Sequence, residues 1–369
     1  MITADKANRT RPGGFAVAHA SAEHWGIAAK TCLQGVADTA GRANIGFLYA
    51  TEGLAGDLPS VLTFLRETTR IGHWVGAVAP GICTGDCEYR TGNALAVMVG
   101  HLPSASFHCF TGTDGEEGGM ALIHADPGNP LVAAMIATAA EATPSLIGGL
   151  VSPSDAPSQI ADVVTGGGVS GLRLGPAVTV VIGLTQGCTP IGPIHVVTQT
   201  RQGVLVELDG RPALDVLKAE AGELIARDLD RAAGYIHLAL PAANEHDYQV
   251  RSLIGLDRRL GWLAVADHIE AGRRIMFVRR DANGAQADLR RMLAGIRESL
   301  GGRPPLAALY TSCVARGMHM FGAPGAETAA IRDALDGVPL IGFFANGEIA
   351  GGRLHSYCGV LAVIAGEGG

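Results

Sequence analysis

The chain has 369 residues, 47% of them hydrophobic and 17% charged, which is enough apolar material for more than one packed core. A net charge of −7 and no run of Lys or Arg argue against a nucleic-acid binder. Residues 1–12 are polar, and no apolar stretch reaches the ~18 residues of a membrane helix, so a cytoplasmic chain without a membrane partner is expected. Seven scattered cysteines, an odd number, read as reduced thiols rather than a disulfide framework.

In chain order, a module of strand, helix, strand, Gly-rich loop and strand recurs. Its first copy comprises Ile45–Tyr49, a helix over Pro59–Thr69, Trp74–Val78, the loop Gly81–Gly92 and the strand Ala94–Val99. Val61, Phe64 and Leu65 share one face of that helix. The second copy is expected over Met120–His124, Pro130–Ala140 and Leu146–Val151, then a polar loop with a short helix, and a closing strand at Ala177–Ile182. Val196–Thr200 and Val204–Leu208 flank Arg201-Gln202-Gly203 as a β-hairpin. Arg211–Ala226 reads as a helix with the stripe Leu214, Leu217, Ala221 and Leu224. A degenerate copy is expected at Tyr235–Leu240, Leu260–Val265 and Arg274–Phe277. The last copy is the clearest, with Leu306–Tyr310, Ala326–Leu335, Leu340–Phe344, the loop Ala345–Gly352 and Gly359–Ile364. Short apolar strands alternating with helices predict a layered α/β (α+β) fold of sheets covered by helices. The expected organisation is a flexible terminus over 1–14, one domain over 15–185 and a second over 186–369.

Few motifs carry recognisable chemistry. Gly166-Gly167-Gly168-Val169-Ser170-Gly171 fits G-x-G-x-x-G, but a strand follows it where a dinucleotide site needs a helix, so it reads as a turn. Cys83 and Cys87, with His73 and Asp86 nearby, lack the second ligand pair of a zinc site, and His108-Cys109 does not complete one by spacing, so no metal is expected. Met318-His319-Met320 offers soft ligands for haem iron or copper without a covalent haem motif. No G-x-S-x-G occurs. Cys313 follows an apolar strand, with Arg316 three residues on and Glu348 and His355 in the loop ending the next strand, a grouping that suits a binding site better than a catalytic one.

These residues also carry a family likeness. Gly187-Cys188-Thr189-Pro190-Ile191-Gly192-Pro193, then Glu207-Leu208-Asp209-Gly210-Arg211-Pro212, Gly255-Leu256-Asp257, Ser312-Cys313, Arg316-Gly317, Gly342-Phe343-Phe344, Gly347-Glu348-Ile349 and Leu354-His355 resemble the FIST C-terminal domain. The stretch from Phe15 to Pro193 is similar to the FIST N-terminal domain, most visibly at Val75-Gly76. The chain departs from the family at Ala350-Gly351, where Gly-Pro is usual, and at Tyr357, where Thr is usual.

The resemblance implies a small-molecule-binding sensory protein acting in signal transduction through a separate signalling partner such as a kinase, and more readily a binder than an enzyme. Glu52, Cys313, Arg316, Asn346, Glu348 and His355 are expected to line the ligand site. There Arg316 and Glu348 would meet the carboxylate and amine of an amino-acid-like ligand. No cofactor is expected. The alternatives are a haem-binding nitric-oxide sensor, with His319, His355 or His195 as axial ligand, and a thiol-dependent enzyme using Cys313.

Overall fold

The computed structural model describes residues 14–85, 87–113, 119–143, 145–154, 156–222, 235–241 and 248–367. Strand β1 (Ala16–Ser21) and helix α1 (Trp25–Ala40) precede the first module, which runs β2 (Ile45–Thr51), α2 (Leu58–Thr69) and β3 (His73–Ala79). Pro59 in the first turn fits α2 to start there, and Leu58, Val61, Leu62 and Leu65 form its buried stripe. Strands β2 and β3 are parallel, with α2 as the crossover. The Gly81–Gly92 segment is not plain loop: it holds the hairpin β4 (Gly81–Thr84) and β5 (Cys87–Tyr89). Strand β6 (Ala94–Gly100) then returns antiparallel to both β1 and β2.

The second module repeats this plan with β7 (Phe107–Thr111), β8 (Met120–Ala125), α3 (Val132–Ala142) and β9 (Ser145–Leu150). The expected short helix is instead a hairpin of β10 (Gln159–Ala161) and β11 (Val163–Thr165), turned by Asp162 at φ 60. The β-branched residues Val163, Val164 and Thr165 favour the extended state there. The closing strand is β12 (Val169–Leu174) rather than Ala177–Ile182, because Gly167 at φ 79 turns the chain straight back along β8. The glycine-rich motif is thus a turn between strands. Strand β13 (Val180–Gln186) is the edge strand of the third module.

Between β13 and the rest of that module come β14 (Cys188–Pro190), β15 (His195–Arg201), β16 (Val204–Leu208), β17 (Arg211–Pro212), α4 (Ala213–Ala221), β18 (Ile236–Pro241), β19 (Tyr248–Asp257), β20 (Trp262–Val265) and β21 (Arg274–Arg280). The β15–β16 hairpin turns at Gln202 and Gly203, both at positive φ, as expected for a short hairpin loop. Helix α4 covers the first part of the expected helix, and residues 223–226 lie outside the described residues. The segments taken for a degenerate module belong to one antiparallel sheet in the order β14-β21-β15-β16-β20-β19-β18. Pairing of β18 with β21 closes that sheet on itself around Val197, Leu205, Leu238, Leu263 and Phe277, with Leu214 and Leu217 of α4 packed in. No copy of the module is present there among the described residues. The third module resumes with α5 (Ala282–Leu300), β22 (Pro305–Cys313), α6 (Met318–Phe321), α7 (Ala326–Ala334), β23 (Leu340–Ala345), the hairpin β24 (Glu348–Ala350) and β25 (Arg353–His355), and β26 (Cys358–Ala365).

By contacts the chain forms two compact units, one of Met1–Thr185 with Leu289–Gly369, the other of Gln186–Asp288. The first holds all three modules. Its sheets have the orders β1-β6-β2-β3-β10-β11, β25-β24-β9-β8-β12-β7 and β13-β26-β22-β23-β4-β5. Each module keeps its edge strand, parallel pair and closing strand in one sheet and gives its hairpin to another. The first module's hairpin completes the third sheet, the second's completes the first, and the third's completes the second. One face of all three sheets shares a single core that includes Phe47, Tyr49, Leu122, Ile147, Leu309 and Phe343. The other faces are buried beneath each module's own helices. Alternation of side chains along every strand produces this two-sided burial.

The parallel pairs are held close by glycine. A Cβ on Gly76 would lie 1.8 Å from the Leu48 carbonyl oxygen, on Gly148 1.9 Å from that of Ile123, and on Gly342 2.1 Å from that of Tyr310. In each module this glycine sits opposite the residue named, so the three positions are structurally equivalent.

Candidate functional site

The registers that align the glycines also align Thr51, Asp126 and Cys313, three residues beyond the glycine's partner in each module. Each reaches the loop that precedes its module's closing strand. Thr51 donates to Gly92 O at 2.7 Å and accepts the Ala94 N–H at 2.8 Å. Asp126 accepts the N–H groups of Gly128 at 2.8 Å and Gly167 at 3.1 Å. Cys313 lies against the backbone N–H groups of Ala315 and Tyr357. Two modules thus use a strong oxygen acceptor for a local turn, and the third places a weakly bonding thiol there.

Glu348 lies beside this thiol. The third module's hairpin seats it opposite Gly149, a residue without a side chain, and it is fully buried. Its Oε2 accepts the Cys358 N–H at 3.1 Å and the Cys358 thiol at 3.3 Å, and the Cys313 thiol adjoins the same carboxyl. Its Oε1 is buried with no hydrogen-bond partner. Burial pushes the Glu348 carboxyl well above the usual range, against the pull of the Cys358 N–H. Burial, with Glu348 beside them, likewise raises both thiols. The group is a cluster of readily protonated acids facing an unused acceptor.

Arg316 does not face this acceptor. Its guanidinium turns onto Glu327 of α7, through Nε at 2.8 Å and through Nη2, and both residues are about 1% exposed. Tyr310 donates to the same Glu327 oxygen at 2.6 Å, and Ser312 to the other at 3.2 Å. The attraction of Glu327 overrides burial and keeps Arg316 fully charged. Arg316, expected to meet a ligand carboxylate, has its charge met inside the fold by Glu327.

The remaining candidates are dispersed. Asn346 is exposed beside Glu348, and His355 is half-buried opposite it across the β24–β25 hairpin. Glu52 is exposed and accepts from Ser152 at 2.7 Å. His319 is exposed on the single turn of α6. His195 belongs to the other unit, where Nδ1 meets Asp209 at 2.5 Å and Nε2 meets Glu220. With both ring nitrogens engaged, His195 does not fit as a haem ligand. Cys83 is buried in β4 and Cys87 half-buried in β5, while Asp86 lies outside the described residues. Sequence reasoning missed Cys358 and Glu327, which pack against the residues it chose. The position of Cys358 at the start of the final apolar run was the available signal for the first.

The FIST N domain model matches residues 44–211 and the FIST C domain model matches residues 213–351. The chain belongs to the FIST family. FIST domains are associated with sensory signalling. The junction of the two FIST domains falls inside the Gln186–Asp288 unit, so the FIST C segment supplies both part of the closed sheet and most of the third module. The FIST chain is similar to Rv0628c of Mycobacterium tuberculosis, described as uncharacterized, at 33% identity over 85% of this chain and 94% of the relative. It is also similar to Mb0898c of Mycobacterium bovis, described in the same way, at 37% identity over 55% of this chain and 54% of that protein. No helix among the described residues is long and apolar enough to cross a membrane.

Proposed function

We propose that this FIST chain is a sensory protein that binds a small polar metabolite of amino-acid-like chemistry, with Glu348 as the principal ligand contact. Cys313 and Cys358 form its walls, and Asn346 and His355 stand at its rim. The supporting observation is the fully buried Glu348 carboxyl, whose Oε1 accepts no well-formed hydrogen bond although the Cys313 thiol and the Gly347 N–H adjoin the carboxyl. An orphaned buried acceptor costs about 1–3 kcal/mol, which a ligand N–H recovers on binding. An amine or amide donor is the complementary group, and an amine adds charge assistance once Glu348 ionises. Because Glu348 is carried on a hairpin that completes another module's sheet, its engagement bears on how two modules pair. Differential stabilisation of that pairing is the signal, read by a separate signalling partner such as a kinase.

A thermal-shift screen of amino acids, small amines and amides tests this reading. A stabilising compound is expected to lose its effect in Glu348→Gln, which replaces an acceptor oxygen with a donor, and in Glu348→Ala. Equal stabilisation of wild type and both variants refutes the assignment of Glu348. The thiol-enzyme reading is disfavoured because burial holds Cys313 as the unreactive thiol.

A further inference from the structure

At the start of β3, the other end of the sheet from Thr51, side chains from β3, β7 and the β10–β11 turn converge. Asp162 occupies the β10–β11 turn in a left-handed conformation uncommon outside glycine. Its Oδ1 accepts the Trp74 N–H at 3.0 Å, which fixes the carboxylate, and its Oδ2 lies 3.1 Å from His73 Nδ1. Cys109 comes from β7 of the neighbouring sheet, its Sγ 3.6 Å from the Trp74 carbonyl oxygen. Phe107 of the same strand packs its ring against the His73 ring, centroids 5.3 Å apart. One ring nitrogen of His73, the Cys109 sulfur and one Asp162 oxygen all lie within 4.8 Å of one another.

We propose that His73, Cys109 and Asp162 form a binding site for one divalent transition-metal ion of zinc-like character. The donor set joins imidazole nitrogen, thiolate and carboxylate, the three ligand types Zn²⁺ takes up, whereas Mg²⁺ and Ca²⁺ take oxygen alone. Zn–S of ~2.3 Å and Zn–N or Zn–O of ~2.0 Å in a tetrahedron put donors roughly 3.3–3.5 Å apart. The His73–Asp162 pair is already near that spacing, and the sulfur needs a shift of no more than about 1.3 Å to join them. Charge balances too: one thiolate and one carboxylate neutralise a dication, and binding displaces the thiol proton to solvent. The Trp74 N–H on Asp162 is the kind of outer-shell bond that aims a metal ligand. Arg66 binds the Asp162 carbonyl oxygen and so sits beside the cluster rather than in it. His73 and Asp162 are exposed on their outer sides, which gives an ion direct entry. Three protein ligands leave the fourth position to water or a small exogenous donor. A bound ion would also tie the first sheet to the second, through strands of two modules.

The full chain, stripped of metal under reducing conditions, is titrated with Co²⁺ as a spectroscopic substitute for Zn²⁺. One equivalent is expected to bind with a thiolate-to-metal absorption band, and Zn²⁺ is expected to displace it. Cys109→Ser should abolish the band, and Cys87→Ser should keep it. Asp162→Asn and His73→Gln should weaken binding about 100-fold or more. The exposed His73 makes its variant decisive if Cys109→Ser fails to fold. Absence of the band from the wild type, its persistence in Cys109→Ser, or unchanged affinity in His73→Gln overturns the proposal.

Discussion

Replacing Arg316 tests whether the fully buried Arg316–Glu327 charge pair is structural. Arg316 and Glu327 are each about 1% exposed, and the Glu327 carboxylate also accepts from Tyr310 and Ser312. Removing one partner leaves the other ionised without a counter-charge in a low-dielectric interior, a loss of about 3–5 kcal/mol. Arg316→Ala and Glu327→Ala should therefore each lower stability by about that much. The double variant Arg316→Met with Glu327→Leu removes both charges and keeps the volume filled. The hydroxyls of Tyr310 and Ser312 then lose an acceptor, about 1 kcal/mol each, and the Tyr357 carbonyl loses a long contact at 3.4 Å. It should fall only about 2 kcal/mol below wild type and lie above either single variant. Equilibrium urea unfolding followed by far-ultraviolet circular dichroism reads the midpoints. A loss under about 1 kcal/mol in Arg316→Ala, or a double variant as unstable as the singles combined, would refute the pairing as the reason for burial.

Gly76→Ala and Gly148→Ala should each cost about 2–3 kcal/mol, seen as a lowered thermal midpoint, since the new methyl meets a carbonyl oxygen of the paired strand. Alanine tolerated at both sites would show that the strands can part. Burial alone would lower the His195 pKa, but its hydrogen bonds to Asp209 and Glu220 outweigh that and raise it. Its stabilising contribution is accordingly complete below the unfolded value of about 6.5 and lost as pH rises through the folded one, and His195→Gln should erase that slope in pH-dependent unfolding. Cys313 should resist alkylation near neutral pH until the protein is unfolded, and rapid selective labelling of the native chain would restore it as a candidate nucleophile.

The parallel strand pairs and their crossover helices were legible because each is a local pattern: an apolar run such as Ile45–Tyr49, or a stripe such as Val61 and Leu65, both buried as expected. The exchanged hairpins were not. Gln159–Ala161 and Glu348–Ala350 are three residues each, and what makes them strands is pairing with a distant module. The same limit governs the sites. Cys313, Glu348 and His355 lie on strands of one module and could be grouped from spacing. His73 and Asp162 are 89 positions apart and meet only because the second module's hairpin joins the first module's sheet. The Arg316–Glu327 pair was not legible for a related reason: nothing in the surroundings of Arg316 along the chain says that α7 turns Glu327 back toward it.

The circular lending of hairpins also sets a timetable for synthesis. The β4–β5 hairpin emerges from the ribosome early, but its partner β23 follows more than two hundred residues later, with the Gln186–Asp288 unit translated in between. Until then that hairpin and the open side of β9 both present unpaired backbone, the kind of edge that invites pairing with other chains. The segment from Glu348 onward acts as a latch: a nascent chain stopped short of it already holds β23 for the β4–β5 hairpin, yet lacks both β26 and the hairpin that pairs with β9, so the circle of three modules stays open.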